Sequence, residues 1–592
     1  MELATGFESI SRDGWRALAV EVLRKSGIET EAPEEALSTA TYDGVTVAPL
    51  YDLDDLPGDP GLPGEAPYVR GARGTPGWDV RQRHAVADPE AVLADLENGV
   101  TSLWLVVGDG AIPVDALGAV LKDVYLDLAP VVLEAGERVR EAAEVLFGRG
   151  SAVRGNLGAS AVGGPGLELA RRCLDGFPGL GAVTVDATPF HDAGGSDAEE
   201  LGCSIARGVA ELRALTDGGL SVEQALGQIE FRYAATADQF ATIAKLRAAR
   251  RLWARVAEVC GAGGGPGGGP VGGAAGGPGG YGGQRQHAVT SSAMMTARDP
   301  WVNMLRTTLA CFAAGVGGAE AVTVQPFDAC LGLPDAFSRR IARNTQALLL
   351  EESGLGRVID PAGGSWYVER RTADLAERAW AWFQEIEAAG GITRAAGLVA
   401  DRIAATRARR ADDVAHRRLP ITGVSEFPDV HEKPVRPPTS AQAASETGGL
   451  PRIRYAEEFE ALRDLADAQP ERPTVFLATI GPVAAHTARA AFAANLFQAG
   501  GLDTETAGPG ADPEQIATAF AVSGAAVACL CSTDKLYAQH AAAVATALRK
   551  AGARKVWLAG KGEYEGVDGN LYAGCDALAV LRETFDDLEV TR

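Results

Sequence analysis

Short apolar runs rich in β-branched residues alternate with longer segments of helical periodicity between about residues 100 and 370. The clearest runs lie at residues 102–107, 129–133, 182–186, 228–233 and 321–325. Strands that alternate with helices in this way are typical of a parallel sheet with helical crossovers. The number of repeating units suits an eight-fold arrangement, so the pattern predicts an α/β chain with a (β/α)₈ TIM barrel over residues 41–415.

Two helices that follow the last of these runs have clear signals at their ends. Asp335 is expected to cap the first helix, and Gly354 is expected to end it. The second helix is predicted to begin near Thr372, because apolar residues recur from there at helical spacing. It carries Trp380 and Trp382, for which we expect packing in the core.

The chain outside residues 41–415 divides into three parts. Residues 1–40 contain one amphipathic helix and acidic loops, and are predicted to form an N-terminal arm. Residues 416–470 include a stretch rich in Pro, Ser, Thr and charge, which indicates an interdomain linker. Strand-like runs at 474–480, 525–530 and 555–558, with helical segments between them, predict a doubly wound α/β domain over residues 471–592.

Residues 261–283 are almost wholly glycine, proline and alanine. Such a composition cannot form a packed core, so the segment is expected to be a mobile insertion between barrel elements. A phosphate-binding loop is the alternative interpretation of the glycines. It is disfavoured because no Lys-Ser/Thr follows them and no strand-turn-helix pattern surrounds them.

Charge and composition exclude several classes of function. The net charge is −23, which disfavours binding to nucleic acid and to anionic membrane surfaces. The N-terminus has no signal-peptide pattern, and no apolar run is long enough to span a bilayer. We therefore expect a cytoplasmic protein.

Eight cysteines are scattered along the chain, and only Cys529 and Cys531 lie close together in sequence. Both fall in an apolar run that is typical of a strand, and we expect their side chains to point to opposite faces. No metal or redox site is predicted from them, and the cysteines are expected to be buried and reduced.

Four strings of residues carry a resemblance to a known family. They lie at residues 244–254, 284–292, 337–346 and 357–369. In this order they resemble the acyl-CoA mutases that depend on adenosylcobalamin, and methylmalonyl-CoA mutase in particular. The resemblance implies a TIM barrel threaded by the pantetheine arm of the substrate, followed by a flavodoxin-like cobalamin-binding domain. It also implies radical chemistry on the cofactor, with the protein shielding the radicals and holding the thioester.

The first departure from the family concerns the lower ligand to cobalt. Catalytic members carry Asp-x-His-x-x-Gly, in which the histidine binds the metal and the aspartate orients it. The corresponding stretch here contains His486, but Ala484 stands in place of the aspartate and Arg489 in place of the glycine. We expect His486 to face solvent or pack within a helix, so that this domain is a degenerate cobalamin-binding domain that holds no metal.

Two further departures fall in the barrel. The histidine that polarises the thioester in the family pattern is replaced by Thr323, whose hydroxyl does not match imidazole in reach or acidity. The tyrosine that contacts the adenosyl group and the substrate is replaced by Arg83, which is expected to add an unpaired cation to the pocket. Arg285 and His287 match the Arg-x-His of the family and are candidates for substrate binding, or for pairs with acidic neighbours.

These losses predict a chain without catalytic residues of its own. The resemblance then implies the small subunit of a heterodimeric mutase, in which a large catalytic partner binds adenosylcobalamin and the acyl-CoA substrate. Two alternatives stay open. In the first, the chain is a catalytic mutase with an altered substrate that uses His486, His287 or His84. In the second, it is a regulatory protein that binds CoA thioesters.

Overall fold

The computed structural model describes residues 10–262, 282–436 and 449–590. The N-terminal part forms helices α1 (Arg12–Lys25) and α2 (Pro33–Leu37) and a short antiparallel hairpin of β1 (Thr39–Ala40) and β2 (Thr46–Val47). Helix α1 is the amphipathic helix predicted for this region. Most of the glycine-rich segment predicted at 261–283 lies outside the described residues.

The strands that follow close into a parallel barrel, as the sequence predicts. Their order around the barrel is β10-β3-β4-β5-β6-β7-β8-β9. Their bounds are β3 Asp79–His84, β4 Ser102–Val106, β5 Val131–Glu134, β6 Gly155–Ala159, β7 Leu180–Asp186, β8 Ile229–Ala235, β9 Arg285–Thr290 and β10 Ala321–Thr323.

Three of these strands, β3, β6 and β9, are missing from the apolar runs that predict the barrel. Strand β6 has the sequence Gly-Asn-Leu-Gly-Ala, which contains no β-branched residue. Strands β3 and β9 are polar because alternate side chains, such as Arg81 and His287, contact residues of other strands inside the barrel. A search for apolar runs therefore misses them.

Helices pack around the barrel between and after the strands. They are α3 Pro89–Glu97, α4 Val114–Val120, α5 Val139–Phe147, α6 Gly166–Gly176, α7 Thr188–Asp192, α8 Asp197–Asp217, α9 Val222–Gly227, α10 Gln239–Val259, α11 Val302–Val316, α12 Ala336–Ala347, α13 Trp366–Ala388 and α14 Ala396–Ala415. Short 3₁₀ turns lie at Leu53–Asp55, Gly136–Arg138, Ala329–Leu331 and Leu355–Arg357, and a π turn at Leu348–Glu352.

The predicted signals of helices α12 and α13 are largely confirmed. The Asp335 side chain accepts a hydrogen bond from the backbone N–H of Ser338 and caps α12. Helix α13 begins at Trp366, ahead of the predicted start near Thr372, because the side chain of Ser365 caps it. The core packing expected for Trp382 is confirmed, since its ring is 1% exposed and its N–H points to the sulfur of Cys203 at 3.4 Å.

A second domain follows the barrel and has a five-stranded parallel sheet in the order β12-β11-β13-β14-β15. Helix α15 (Glu457–Asp467) lies within the segment predicted as a linker and packs in the core of this domain. The other elements are β11 Thr474–Thr479, α16 Val483–Ala499, β12 Asp503–Thr506, α17 Pro513–Ser523, β13 Val527–Cys531, α18 Asp534–Lys550, β14 Lys555–Ala559, β15 Gly569–Leu571 and α19 Ala577–Asp587.

The predicted orientation of Cys529 and Cys531 is wrong. Residues two apart in a strand share a face, and both thiols belong to the same core cluster, with their sulfurs 4.0 Å apart. Burial raises the pKa of the Cys529 thiol well above its ordinary value.

Across the described ranges, no group of three or more His, Cys, Asp or Glu side chains is placed to hold a metal ion. No helix in those ranges combines the length and apolarity needed to cross a membrane.

Candidate functional site

Side chains from β3, β4, β8, β9 and β10 meet inside the barrel. They are Arg83, Trp104, Arg232, His287 and Thr323, and we call them the lumen cluster. Neighbouring strands supply two in-register pairs, Arg83 with Trp104 and Arg232 with His287. The pairs contact each other across the axis, since the Trp104 and His287 rings meet edge to face at 5.3 Å. The structure therefore brings together three predicted positions, Arg83, His287 and Thr323.

The contacts of His287 fix its protonation. Its Nδ1 accepts a hydrogen bond from Arg232 Nε at 3.3 Å, which leaves Nε2–H to donate to the Thr323 hydroxyl at 2.8 Å. Burial, followed by the charges of Arg81 and Arg232, lowers the pKa of His287 well below its ordinary value. The imidazole is neutral, and both of its nitrogens are occupied by the protein's own side chains.

Arg83 does not add an unpaired cation to the barrel, contrary to the sequence-based expectation. Its guanidinium lies 3.6 Å from the Glu134 carboxylate and 5.1 Å from the centre of the Trp104 ring. The Arg232 guanidinium lies 4.0 Å from the same ring and 2.8 Å from the Asp186 carboxylate. The cations are thus neutralised by acids on β5 and β7 and packed against the indole.

A second set of charges crosses the barrel next to the lumen cluster. Arg81 on β3 forms a 2.8 Å ion pair with Glu230 on β8 and also donates to the Ser102 hydroxyl at 3.0 Å. Arg285 is partly buried nearby and donates to the backbone carbonyls of Gly227 and Ile229. Since those hydrogen bonds end on carbonyls, Arg285 is held by the barrel backbone rather than by a carboxylate.

His84 points away from the lumen cluster. Its Nε2 lies 3.3 Å from the Asp95 carboxylate of helix α3, on the outer side of the strand. Burial and the neighbouring Arg339 lower the pKa of His84 to about 4. The three imidazoles named in the catalytic alternative, at residues 84, 287 and 486, therefore do not form one site.

Residues 452–455, the closing segment, run across the carboxyl ends of β7 and β9. The backbone N–H of Ile453 donates to the Asp192 carbonyl, and that of Tyr455 donates to the Ala293 carbonyl, both at 2.9 Å. The Arg452 guanidinium donates to the Ser292 hydroxyl at 2.8 Å. The closing segment is thereby fixed to the end of the barrel where active sites of this fold lie.

In the second domain, His486 lies in the first turns of α16. The helix begins directly after Pro482, so the residues aligned with the family's ligand loop are helical here. The imidazole is 8% exposed, and neither ring nitrogen has a hydrogen-bond partner among the described residues. Ala484 supplies no carboxylate to orient it.

The crevice between the carboxyl ends of β11 and β13 is the switch point at which sheets of this topology bind ligands. Next to it, the Tyr537 hydroxyl accepts from the backbone N–H of Ser532 at 2.7 Å and donates to the Ala559 carbonyl at 2.8 Å, so this ring lies at the carboxyl ends of β13 and β14. Arg489 packs over the Tyr537 ring at 5.1 Å and pairs with Asp534 at 2.6 Å. Taken with the helical position of His486, these residues do not fit the lower ligation of a cobalamin.

Comparisons with known proteins identify the family of this chain. The family model described as methylmalonyl-CoA mutase matches residues 167–265 and 281–485. The chain is 56% identical to the methylmalonyl-CoA mutase small subunit of Streptomyces virginiae, over 100% of this chain and 98% of that protein. The chain belongs to the methylmalonyl-CoA mutase family.

More distant relatives fall into two groups by name. The methylmalonyl-CoA mutase small subunit of Propionibacterium freudenreichii subsp. shermanii is 37% identical over 100% of this chain and 97% of that protein. The methylmalonyl-CoA mutase of Cereibacter sphaeroides, whose name carries no subunit term, is 28% identical over 77% of this chain and 69% of that protein. The identity is therefore higher to the relatives named as small subunits.

The strings that carry the family resemblance have structural contacts in this member of the methylmalonyl-CoA mutase family. Arg247 of the first string forms buried ion pairs with Asp360 and Glu369 of the last string. Arg250 is fully buried and donates to the carbonyls of Tyr68 and Val69 at 2.9 Å. These contacts join helix α10 to helix α13 and to the loops around it.

A buried ion cluster lies near the closing segment. Lys245 Nζ sits 2.8 Å from Asp197 and 2.7 Å from Glu200; Lys245 and Glu200 are fully buried and Asp197 is partly buried. Burial alone would lower the pKa of Lys245, but the two carboxylates raise it above its ordinary value. His191 Nε2 lies 2.6 Å from the Ser291 hydroxyl, and burial, followed by the charge of Lys245, lowers the pKa of His191 to about 3.

Sequence reasoning missed Trp104, Arg232, Glu134 and Asp186, which complete the lumen cluster and neutralise it. All four lie within or next to runs recognised only as apolar strands. The sequence does contain a signal for three of them, because charged residues stand inside or at the end of apolar runs at Glu134, Asp186 and Arg232. A charge in a strand that is buried on both faces has to be paired inside the barrel.

Proposed function

We propose that this chain is the non-catalytic small subunit of a cytoplasmic methylmalonyl-CoA mutase. In this proposal it pairs with a large catalytic subunit, which binds adenosylcobalamin and the acyl-CoA and interconverts methylmalonyl-CoA and succinyl-CoA. The small subunit supplies a folded surface that stabilises its partner. The names of the full-length relatives support the pairing.

The observation that carries the non-catalytic role is the lumen cluster. In the family, the pantetheine arm of the substrate runs along the barrel axis. Here Trp104, Arg232 and His287 contact one another across that axis and are at most 7% exposed. Entry of a pantetheine chain would require the buried Arg232 guanidinium to leave both the indole and its Asp186 partner. The partner's barrel is therefore the one proposed to bind substrate.

The second domain supports the same assignment for the cofactor. When bound, adenosylcobalamin supplies a carbon radical that starts the rearrangement. The described residues offer no oriented imidazole for it, since His486 lies within α16 without a hydrogen-bond partner and Arg489 of the same helix pairs with Asp534 of α18. Cobalamin is therefore proposed to bind the partner alone.

The N-terminal arm is a proposed contact with the partner. In α1, Leu23 is buried, whereas Leu18 and Val22 are 55% and 62% exposed. Exposed apolar residues on an amphipathic helix are typical of a face that is covered in an assembly.

The test is to purify the chain alone, the large subunit alone and the two together. Mutase turnover and the cobalamin bound per chain are then measured in each preparation. The expected result is no turnover in the chain alone and one cobalamin per heterodimer. His486→Ala in the heterodimer should leave both readings unchanged. Turnover or bound corrinoid in the single chain would disprove the non-catalytic role.

A CoA-binding regulatory role is the second candidate, and one cleft favours it. The cleft has a volume of about 260 Å³, lies beside the start of β3, and is lined by Arg73, Trp78 and Arg357 among others. Two guanidinium groups beside an indole suit a phosphorylated nucleotide. Thermal stabilisation of the isolated chain by CoA, lost in Arg357→Ala, together with failure to bind any large subunit, would favour this role instead.

A further inference from the structure

Helix α11 presents apolar side chains on the face turned away from the barrel. Trp301, just before its first residue, and Leu305 and Leu309 along it are 44%, 67% and 43% exposed. They are spaced four residues apart and so form one stripe along the helix. The outer face of a barrel helix that contacts only water is normally polar. The stripe on α11 therefore suggests a covering partner.

The stripe continues onto α12 through a buried phenylalanine. Phe327 is 2% exposed, stacks on Trp301 at 4.8 Å and meets Phe337 edge on at 6.2 Å. Phe337, in the first turn of α12, and Leu333 just before that helix are each 43% exposed. We call the five exposed residues the α11–α12 patch: Trp301, Leu305, Leu309, Leu333 and Phe337.

The patch has the size expected of an interface core. With side chains of about 150–250 Å² each, about half exposed, it presents on the order of 500 Å² of apolar surface. A stable interface buries about 800 Å² on each partner, and its core is about 65% apolar. The apolar surface of the patch is therefore about the area expected for the core of one interface.

Polar groups border the patch, as they do at the rim of protein interfaces. The Arg340 guanidinium lies 5.4 Å from the centre of the Phe337 ring. Arg306, beside Leu305 on α11, donates to the Thr422 carbonyl at 2.7 Å and to Asn303 at 2.7 Å. The apolar centre is thus surrounded by charged side chains held at its edge.

We propose that the large subunit covers the α11–α12 patch, an inference that rests on the proposed function. A second copy of this chain is the competing occupant. Each copy carries a net charge of −23 over the whole chain, and the repulsion between two such chains opposes self-association. A partner chain is also what the names of the relatives imply. The large subunit is therefore the occupant that the observations favour.

The test compares two exposed apolar residues in the full-length chain. Leu305→Glu places a charge at the centre of the patch, and Val522→Glu makes the same kind of change on helix α17, where the side chain is 83% exposed. Binding of each purified variant to the large subunit is measured by calorimetry. Leu305→Glu should weaken binding at least about 30-fold. Val522→Glu should bind like the wild type.

A folding check and a second variant keep the result interpretable. Both glutamate variants should keep the far-UV circular dichroism and melting temperature of the wild type. If Leu305→Glu fails to fold, Leu305→Ser removes the apolar contact without adding charge and should still weaken binding.

Each contrary outcome identifies the idea that fails. Equal binding by folded Leu305 variants and the wild type overturns the patch but leaves the proposed function standing. A wild-type chain that does not bind the large subunit overturns both. A wild-type homodimer in light scattering that Leu305→Glu converts to monomer assigns the patch to a second copy, which also overturns the proposal.

Discussion

Truncation of Trp104 to alanine tests whether the lumen cluster is a packed core. The indole is 7% exposed, and burial of about 200 Å² at about 25 cal/mol per Å² corresponds to about 5 kcal/mol. Contacts with the guanidinium groups of Arg83 and Arg232 add about 0.5–1 kcal/mol each. Against this, the buried Trp104 N–H has no hydrogen-bond partner among the described residues, and its removal returns about 1–3 kcal/mol.

The expected net loss in the free energy of unfolding of the barrel is therefore about 3–6 kcal/mol, close to the range of about 3–5 kcal/mol that is usual for Trp→Ala in a core. Urea titration followed by circular dichroism measures it, with the transition of each domain fitted separately. Trp366→Ala is the matched control, because that indole is 44% exposed and should lose less than about 1.5 kcal/mol. A loss for Trp104→Ala no larger than for the control would refute a packed lumen.

Three further predictions concern buried groups. Lys245→Met should destabilise the barrel by about 3–5 kcal/mol, because it leaves the buried Glu200 and the partly buried Asp197 without their cation. The loss measured by urea titration should be smaller at pH 5 than at pH 8, because protonation removes the unpaired negative charge. The pKa of His191 in the folded chain is about 3, so below pH 6.5 the unfolded chain binds a proton at this residue that the folded chain does not bind. The free energy of unfolding should therefore fall as the pH falls from about 6.5 towards 3. His191→Gln should flatten that slope; an unchanged slope would contradict the assignment. Iodoacetamide followed by mass spectrometry should label the exposed Cys260 and spare the buried Cys529, and rapid loss of the Cys529 thiol in the folded chain would be contrary evidence.

The two-domain architecture could be predicted because its signals are local. Runs of β-branched residues and the cap at Asp335 depend only on neighbours along the chain. A search for apolar runs does not find strands β3 and β9, because their alternate side chains are polar and point into the barrel. Helix α13 begins six residues before the predicted start near Thr372, because Ser365 caps it and the apolar periodicity does not reveal this cap.

The candidate site was predictable only in part. Comparison with the residue patterns of the family marks Arg83 and Thr323 as changed positions and His287 as a retained one, and the structure places all three in one cluster. Their partners could not be predicted, because the contacts of Trp104 and Arg232 cross the barrel between strands distant in sequence. The error at Cys529 had another origin, since the two-residue period of a strand already places Cys531 on the same face.

The closing segment links two properties of the molecule that are otherwise separate. Its backbone bonds from Ile453 and Tyr455 lie on the covalent route between the barrel and helix α15 of the second domain. Tyr455 lies two residues before that helix, so the start of the second domain is anchored to the loops that follow β7 and β9. A displacement of the second domain would therefore pull directly on those two loops of the barrel.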